Sequence, residues 1–332
     1  MSAVFSMPPR LDPQTAQVLA APEEEGQGYW AGAPGAWSEN GELTVVYRLR
    51  RPRPERGHLL RIVRREPSGH IDTLWEASRR EIGTLSVERC ALLRDPLRGC
   101  WRLWLCSVDP ADNRWRIDMV ESPDPSSFDL ARRRPALTAA STATEGVKDP
   151  VVYVVGGLYY LFASIAPALP SARDDSGALH QTGDVFATGL LKSATGLAIS
   201  QDGENWHWEG EVLSPNVGSW DAYAARITTV WPSDHGFLAF YDGSRAVDEN
   251  YEERTGLAVS ADLRSWTRVS LDGPVACSPW GSGSLRYADV VGEPPNRLAI
   301  YEVCRSDGSH DLRCQPLEPR PGRRQRGARG EE

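Results

Sequence analysis

Three observations in this sequence predict an all-β fold, a five-bladed β-propeller of four-stranded antiparallel blades. The first is a spaced motif: Ser122, Asp124 and Phe128; Ser200, Asp202 and Trp206; Ser260, Asp262 and Trp266. Each has an Asp two residues after a Ser and an aromatic six after it. A Ser or Asp side chain bonds nearby amides and fixes a turn, and the aromatic then packs between sheets. The second is a hairpin pattern upstream of each motif, "CWRLWLCS", "GLYYLFAS" and "GFLAFYDG". The third is the repeat itself, with motif serines 78 and 60 residues apart. A four-stranded unit recurring at such a period is the signature of a propeller blade.

The elements follow in order. "GELTVVYRLR", "LLRIVRR" and "HIDTLWEA" make the first unit, the three motif-bearing segments the next three, and "NRLAIYEVCRSDGSHDLRCQPL" the last. Helical periodicity is poor throughout, while Trp, Gly and Pro are abundant between short alternating runs. Residues 28–317 form the propeller. Residues 1–27 are expected to be a disordered or extended N-terminal segment, and residues 318–332 a disordered basic tail.

Charge and composition exclude several classes. With 37 Lys and Arg against 45 Asp and Glu, the net charge is -8, which argues against nucleic acid as a partner. The basic runs "RLRRPRPERGHLLRIVRR" and "EPRPGRRQRGARGEE" are expected to be solvated, because like charges repel. No stretch approaches the roughly 18 apolar residues of a membrane span, and no export signal is seen, so a cytoplasmic location is expected. Cys90, Cys100, Cys106, Cys277, Cys304 and Cys314 form no CxxC pair and no zinc spacing with His. They are expected to be buried thiols, with no metal site and no cofactor among them. The expected partner is a small molecule or carbohydrate; the oligomeric state is left open.

Strand order within a blade locates the candidate site. The innermost strand begins, and the second strand ends, on one face of the disc, around the axial opening. The Ser-x-Asp turns lie on the other face and are structural. Asp149, after Lys148 and before Pro150, starts the innermost strand of the third blade; a proline lacks the amide hydrogen and suits a strand entry. Matching places give Trp30 in the first blade, Glu88 and Arg89 in the second, Asp221, Tyr223 and Arg226 in the fourth, Arg286 and Tyr287 in the fifth. Ends of second strands add Asp242, Arg245, Glu302 and His310. Two long loops, residues 166–195 and 244–255, fall on this face and carry Asp174, Asp175, His180, Glu252 and Glu253, each expected in solvent.

A mouth with acids, arginines and aromatics suits sugars, whose hydroxyls bond Asp, Arg and Tyr and whose ring faces stack on Trp. Acids in such a pocket can be driven to different pKa values and share acid and base work. The candidates for that work are Asp149, Asp242, Glu302 and Glu252. Trp30, Lys148, Asp221, Tyr223, Arg226, Arg245, Arg286, Tyr287 and His310 are the candidates for binding substrate.

The "KDP" before "GGLYYLFAS" and the "GLAISQDGENW"-type hairpins resemble the five-bladed β-propeller glycosidases, glycoside hydrolase family 43 and the related arabinanase, xylosidase and β-fructosidase group. The resemblance spans residues 28–317. It implies three carboxylates at the mouth: a base or nucleophile on the first blade, an orienting acid on the third and a general acid on the fourth. Asp149 matches the third-blade acid. The first-blade position holds Ala33 where the family shows Asp before Pro, and the fourth-blade position falls near Arg226 where the family shows Glu. Some relatives also hold a calcium ion in the tunnel, so a structural calcium is possible by resemblance. The expected function is a divergent carbohydrate-active enzyme hydrolysing a small glycoside or glycoconjugate. The alternatives are a sugar- or metabolite-binding propeller without catalysis and a protein-interaction scaffold.

Overall fold

Short runs rich in Val, Leu, Tyr and Trp set the strands, most of them buried on both faces, and Gly, Asp and Pro set the turns between them. The computed structural model describes residues 9–168 and 179–317. Residues 1–8, Asp174, Asp175 and the tail 318–332 lie outside the described residues.

The fold is all-β and built of four-stranded antiparallel sets. The chain opens with β1 (Gln17–Ala20). The next set is β2 (Trp30–Glu39), β3 (Glu42–Arg51), β4 (Arg56–Arg65) and β5 (Ile71–Ser78). After it come β6 (Ala91–Arg94), β7 (Trp101–Val108), β8 (Trp115–Ser122) and β9 (Arg134–Leu137). Then follow β10 (Thr144–Val155), β11 (Leu158–Pro167), β12 (Ala194–Ser200) and β13 (His207–Leu213). The fourth set is β14 (Ala224–Ser233), β15 (Gly236–Ser244), β16 (Arg254–Ser260) and β17 (Thr267–Arg268). The chain closes with β18 (Leu285–Val291), β19 (Leu298–Cys304) and β20 (His310–Pro316). One-turn helices Arg79–Ile82 and Ala139–Thr142 sit between sets.

β1 pairs antiparallel with β20, Gln17 opposite Cys314, and so completes the last set. The folded sheet therefore begins before residue 28, where the sequence placed its boundary. Four residues are too short to show an alternation, and their partner lies about 300 residues away in the chain. A single parallel bridge, Trp30 to His310, joins the first and last sets.

Consecutive sets are held by apolar faces rather than by ladders. Val46, Leu60 and Ile62 pack on Leu92, Leu103 and Leu105; Trp104 and Ile117 on Val147 and Leu161; Phe162 and Leu197 on Ile227 and Tyr241; Trp231 and Phe240 on Leu285 and Tyr301. Val45 and Tyr47 then meet Ile300 and Leu312, so the last set packs on the first. Each fully buried side chain of this kind contributes about 1.5–3 kcal/mol. The first strands of the sets touch in the same cyclic order, β2 to β6 to β10 to β14 to β18 and back to β2. Close approach is extreme at Gly57, where a Cβ would lie 1.8 Å from the Val87 carbonyl oxygen.

The Ser-x-Asp turns are built as the sequence indicates. Asp202 accepts from the amides of Glu204 and Asn205, both at 2.8 Å, and Asp262 from Arg264 and Ser265 at 2.9 and 2.7 Å. Trp266 packs edge-on against Phe162, and Phe128 against Trp75. The cysteines are free; Cys90, Cys106, Cys304 and Cys314 are buried, whereas Cys277 is exposed and Cys100 half-buried, contrary to the expectation of uniform burial. Among the described residues no helix is long and apolar enough to cross a membrane.

Candidate functional site

The first strands of four sets carry an irregularity near the axis. β2 loses register on β3 between Gly32 and Gly35, β10 on β11 between Lys148 and Val151, β18 on β19 between Arg286 and Asp289, and β14 on β15 between Ile227 and Thr229. Such bulges bend the strand and re-aim side chains. Ala33, Asp149 and Tyr287 sit in three of them with φ of 54°, 54° and 51°. That left-handed conformation costs a residue with a Cβ about 1 kcal/mol or more. Ala33-Pro34 and Asp149-Pro150 thus share backbone shape as well as sequence position. The residue in place of the first-set acid is an alanine.

Released from the ladder, the Tyr287 amide donates to both carboxylate oxygens of Asp242, at 3.0 Å each. Asp242 lies opposite Arg226 on β15, and Glu302 opposite Arg286 on β19. Asp149 is 2% exposed, with the Lys148 ammonium 3.4 Å away. Neither Asp149 oxygen accepts a hydrogen bond from a described residue.

Around these groups runs a chain of buried charges alternating in sign. Arg50 meets Glu88 at 2.9 Å, Glu88 meets Arg48 at 2.9 Å, and Arg48 meets Glu302 at 3.0 Å. Glu302 then meets Arg286 at 2.8 Å, Arg286 meets Glu253 at 2.8 Å, and Glu253 meets Arg226 at 3.0 Å. Arg226 also donates to Asn250 at 2.7 Å. The chain ties β3, the segment before β6, β14, the β15–β16 loop, β18 and β19. Burial of so many ions is tolerable only because each has an opposite partner.

The electrostatic consequences follow from burial set against these partners. Burial pushes the Glu88 carboxyl up, but Arg48 and Arg50 outweigh it and bring it to about 2. Burial likewise opposes ionisation of Glu253, which Arg226 and Arg286 lower to about 2. Glu302 is held well below the ordinary range by Arg286, Arg48 and His310 despite its burial. Asp242 moves the other way. Burial and then the Glu253 charge raise its carboxyl well above the ordinary range, against the Tyr287 amide and Arg286. Burial and the Asp149 and Glu88 carboxylates push the Tyr287 phenol up, which sets all three groups within electrostatic reach.

The lowered Glu88 carboxyl makes acid stability a test of this network. A carboxylate at about 2 when folded and 4.5 as a free side chain stabilises the fold above pH 4.5. That stabilisation is lost as pH falls toward 2, on the order of 3 kcal/mol for such a shift. Urea midpoints measured between pH 4.5 and 2.5 should fall steeply in the wild type and less steeply in Glu88→Gln. Parallel curves for the two proteins would show that Glu88 is not held ionised by Arg48 and Arg50.

The aromatic wall is Trp30. It stacks on His310 at 4.7 Å, with Arg50 at 4.6 Å and Arg286 at 4.8 Å from its ring centre. Tyr251 lies 6.1 Å from it and carries Arg50 on its own face at 4.8 Å. His310 donates through Nδ1 to Glu302 at 2.7 Å and faces half-buried Glu252 through Nε2 at 3.2 Å. The two long loops close on this face. Asp184 contacts Arg56 at 3.4 Å and bonds the Tyr251 hydroxyl, and buried His180 meets Glu145 at 3.0 Å.

Sequence expectations divide accordingly. Asp149, Lys148, Asp242, Glu302, Arg226, Arg286, Tyr287, Trp30, His310 and Glu252 come together. Asp221 does not join them: it precedes β14 and is pinned to Arg268 at 2.5 Å and the Tyr241 hydroxyl at 3.2 Å. Tyr223 spends its hydroxyl on the Phe186 carbonyl at 2.9 Å, anchoring the β11–β12 loop. Arg245 lies one residue beyond β15 and is exposed. His180 and Glu253, expected in solvent, are buried. The larger correction concerns the basic run around residue 50, expected to be solvated. Arg48, Arg50 and Arg56 in it are buried, each against a carboxylate or carbonyls. Arg48 and Arg50 alternate with Leu49, so strand periodicity puts both on one face.

No family pattern and no curated protein sequence matches this chain. Solved structures do match. A glycoside hydrolase superposes with a TM-score of 0.67 over 91% of each chain at 12% identity. A family 43 subfamily 1 enzyme from Xanthomonas citri, complexed with xylotriose, gives 0.61 over 90% of each chain at 11% identity. A β-1,2-mannobiose phosphorylase from Listeria innocua gives 0.60 over 90% of this chain and 93% of its own at 14% identity. The chain has the fold of the family 43 glycoside hydrolases and related propeller enzymes.

Proposed function

We propose that the chain is a five-bladed β-propeller and a carbohydrate-active enzyme that cleaves a glycosidic bond in a small glycoside or glycoconjugate at the axial mouth. The blades are the sets β2–β5, β6–β9, β10–β13, β14–β17 and β18–β20 with β1. One observation carries the functional reading. Asp149 is buried in a left-handed bulge, and no described residue donates a hydrogen bond to its carboxylate. A buried polar group left so needs a reason beyond folding, and backbone strain of this kind clusters at functional sites. Sugar hydroxyls are donors that would satisfy it. Asp149 orients the sugar and Asp242 supplies the proton to the leaving group, while Trp30, 3% exposed beneath His310, Arg50 and Arg286, backs the site. Glu302, ionised and fully enclosed, holds Arg48, Arg286 and His310 in place.

Ala33 favours a second reading, a sugar-binding propeller without turnover, because no carboxylate occupies the place from which water would be activated. An aryl-glycoside panel run on wild type and Asp149→Asn separates the two, with and without inorganic phosphate. Phosphate is already a nucleophile and needs no base at Ala33. Turnover in wild type, reduced at least a hundredfold in Asp149→Asn, supports the enzyme. Sugar binding by calorimetry with no turnover under either condition supports the module. Neither binding nor turnover across the panel removes both readings.

A further inference from the structure

The mouth contains a second constellation that bond cleavage does not use. Cys304 and His310 are directly paired across β19 and β20. Cross-strand neighbours share a face of the sheet and bring their side chains together. Glu252 arrives from the β15–β16 loop, and its carboxylate oxygen, the Cys304 Sγ and a His310 ring nitrogen all lie within 4.8 Å of one another. His310 Nε2 lies 3.2 Å from Glu252. Bonds of about 2.0–2.3 Å to a tetrahedral ion set ligand atoms roughly 3.3–3.7 Å apart, so small side-chain adjustments would close the site.

Three further features point to a ligand. His310 is fully buried, and its Nε2 faces the Glu252 carboxylate at 3.2 Å without hydrogen-bond geometry. Its other nitrogen is fixed by the Glu302 carboxylate at 2.7 Å. That is the arrangement by which metal-binding histidines are oriented and made more basic. Finally, Gly281 leaves the thiol its room, because a Cβ there would lie 2.5 Å from the Cys304 sulfur.

We propose that Cys304, His310 and Glu252 bind one zinc-class divalent ion at the propeller mouth. The donor set decides the class. Sulfur and imidazole nitrogen suit zinc and its neighbours, whereas calcium takes six to eight oxygens. The calcium that the family resemblance raises does not fit these residues. Three protein ligands leave a fourth position for water or a substrate oxygen. Binding converts the thiol to thiolate and leaves His310 neutral at Nε2, so protons are released. The site rests on side chains outside the Asp149–Asp242 pair, so it can stand or fall independently of the proposed cleavage.

Cobalt(II) is the probe, added to the full chain after chelator treatment. One equivalent should bind with a thiolate-to-cobalt charge-transfer band and visible bands of tetrahedral intensity, and zinc should displace it. Cys304→Ser should abolish the charge-transfer band. Glu252→Gln, at a half-buried loop position where folding is not at stake, should weaken binding at least tenfold. Cys277→Ser, which removes the exposed thiol, should leave both unchanged. Circular dichroism confirms that each variant is folded. The proposal is overturned if wild type gives no charge-transfer band, or if the band is lost in Cys277→Ser rather than Cys304→Ser. Affinity unchanged in Glu252→Gln overturns it as well.

Discussion

Arg286→Met should lower the thermal midpoint by roughly 5 °C. Arg286 is fully buried and bonds Glu302 and Glu253 at 2.8 Å each, while its guanidinium lies over Trp30. Methionine fills much of the volume but neutralises nothing. Two buried carboxylates then each lose one of two cations, Glu302 keeping Arg48 and Glu253 keeping Arg226. Removing one partner of a buried pair costs about 3–5 kcal/mol. For a chain of 332 residues each kcal/mol moves the midpoint by about 1–2 °C. Arg94→Met, which breaks an exposed pair with Glu39, should move it by about 2 °C or less, since exposed pairs contribute about 0–1 kcal/mol. Equal midpoints for the two single variants would mean that water reaches the carboxylates and that the alternating chain is no structural element.

The same network shows why the site was only partly legible in the sequence. The Ser-x-Asp turns are local patterns and are realised in the structure, whereas most strands are buried on both faces rather than alternating, and Asp149, expected to start its strand, sits within β10 at a bulge. The family resemblance alone places Ala33-Pro34, and the structure adds that it shares the left-handed bulge of Asp149-Pro150. Arg48 and Arg50 are different. Within their own segment they belong to a run of like charge that looks solvated. Their partners Glu88 and Glu302 lie 40 and 254 residues further on, and only closure of the last set onto the first brings Glu302 to β3. Glu253 is equally silent, one acid among four in its loop until Arg226 and Arg286 are placed beside it. Strand ends set the opposite limit. Asp221 and Arg245 sit three residues before β14 and one after β15, and those offsets turn Asp221 toward β17 and leave Arg245 in solvent.

Asp242→Asn should cut turnover by about 10²–10⁴-fold with little change in stability, provided the site cleaves glycosides as proposed. The magnitude is that of a lost general acid. The stability expectation comes from its surroundings. Burial and the Glu253 charge raise the Asp242 carboxyl well above its ordinary range, which favours the protonated form that a general acid needs. Asparagine has the same shape and keeps an oxygen for the Tyr287 amide. A raised folded pKa also means that Asp242 favours folding most below the ordinary carboxylate range, and that this contribution fades as pH rises through the folded value. The asparagine variant should therefore resist alkaline destabilisation slightly better than wild type. Leaving groups distinguish acid catalysis from a structural effect. A nitrophenolate departs with little protonation, whereas an alkoxide needs the proton. The loss in kcat/KM should thus be severalfold larger for an alkyl glycoside than for its nitrophenyl counterpart. Equal losses on both would assign Asp242 to holding the Tyr287 bulge, and the proton would have to come from elsewhere in the mouth.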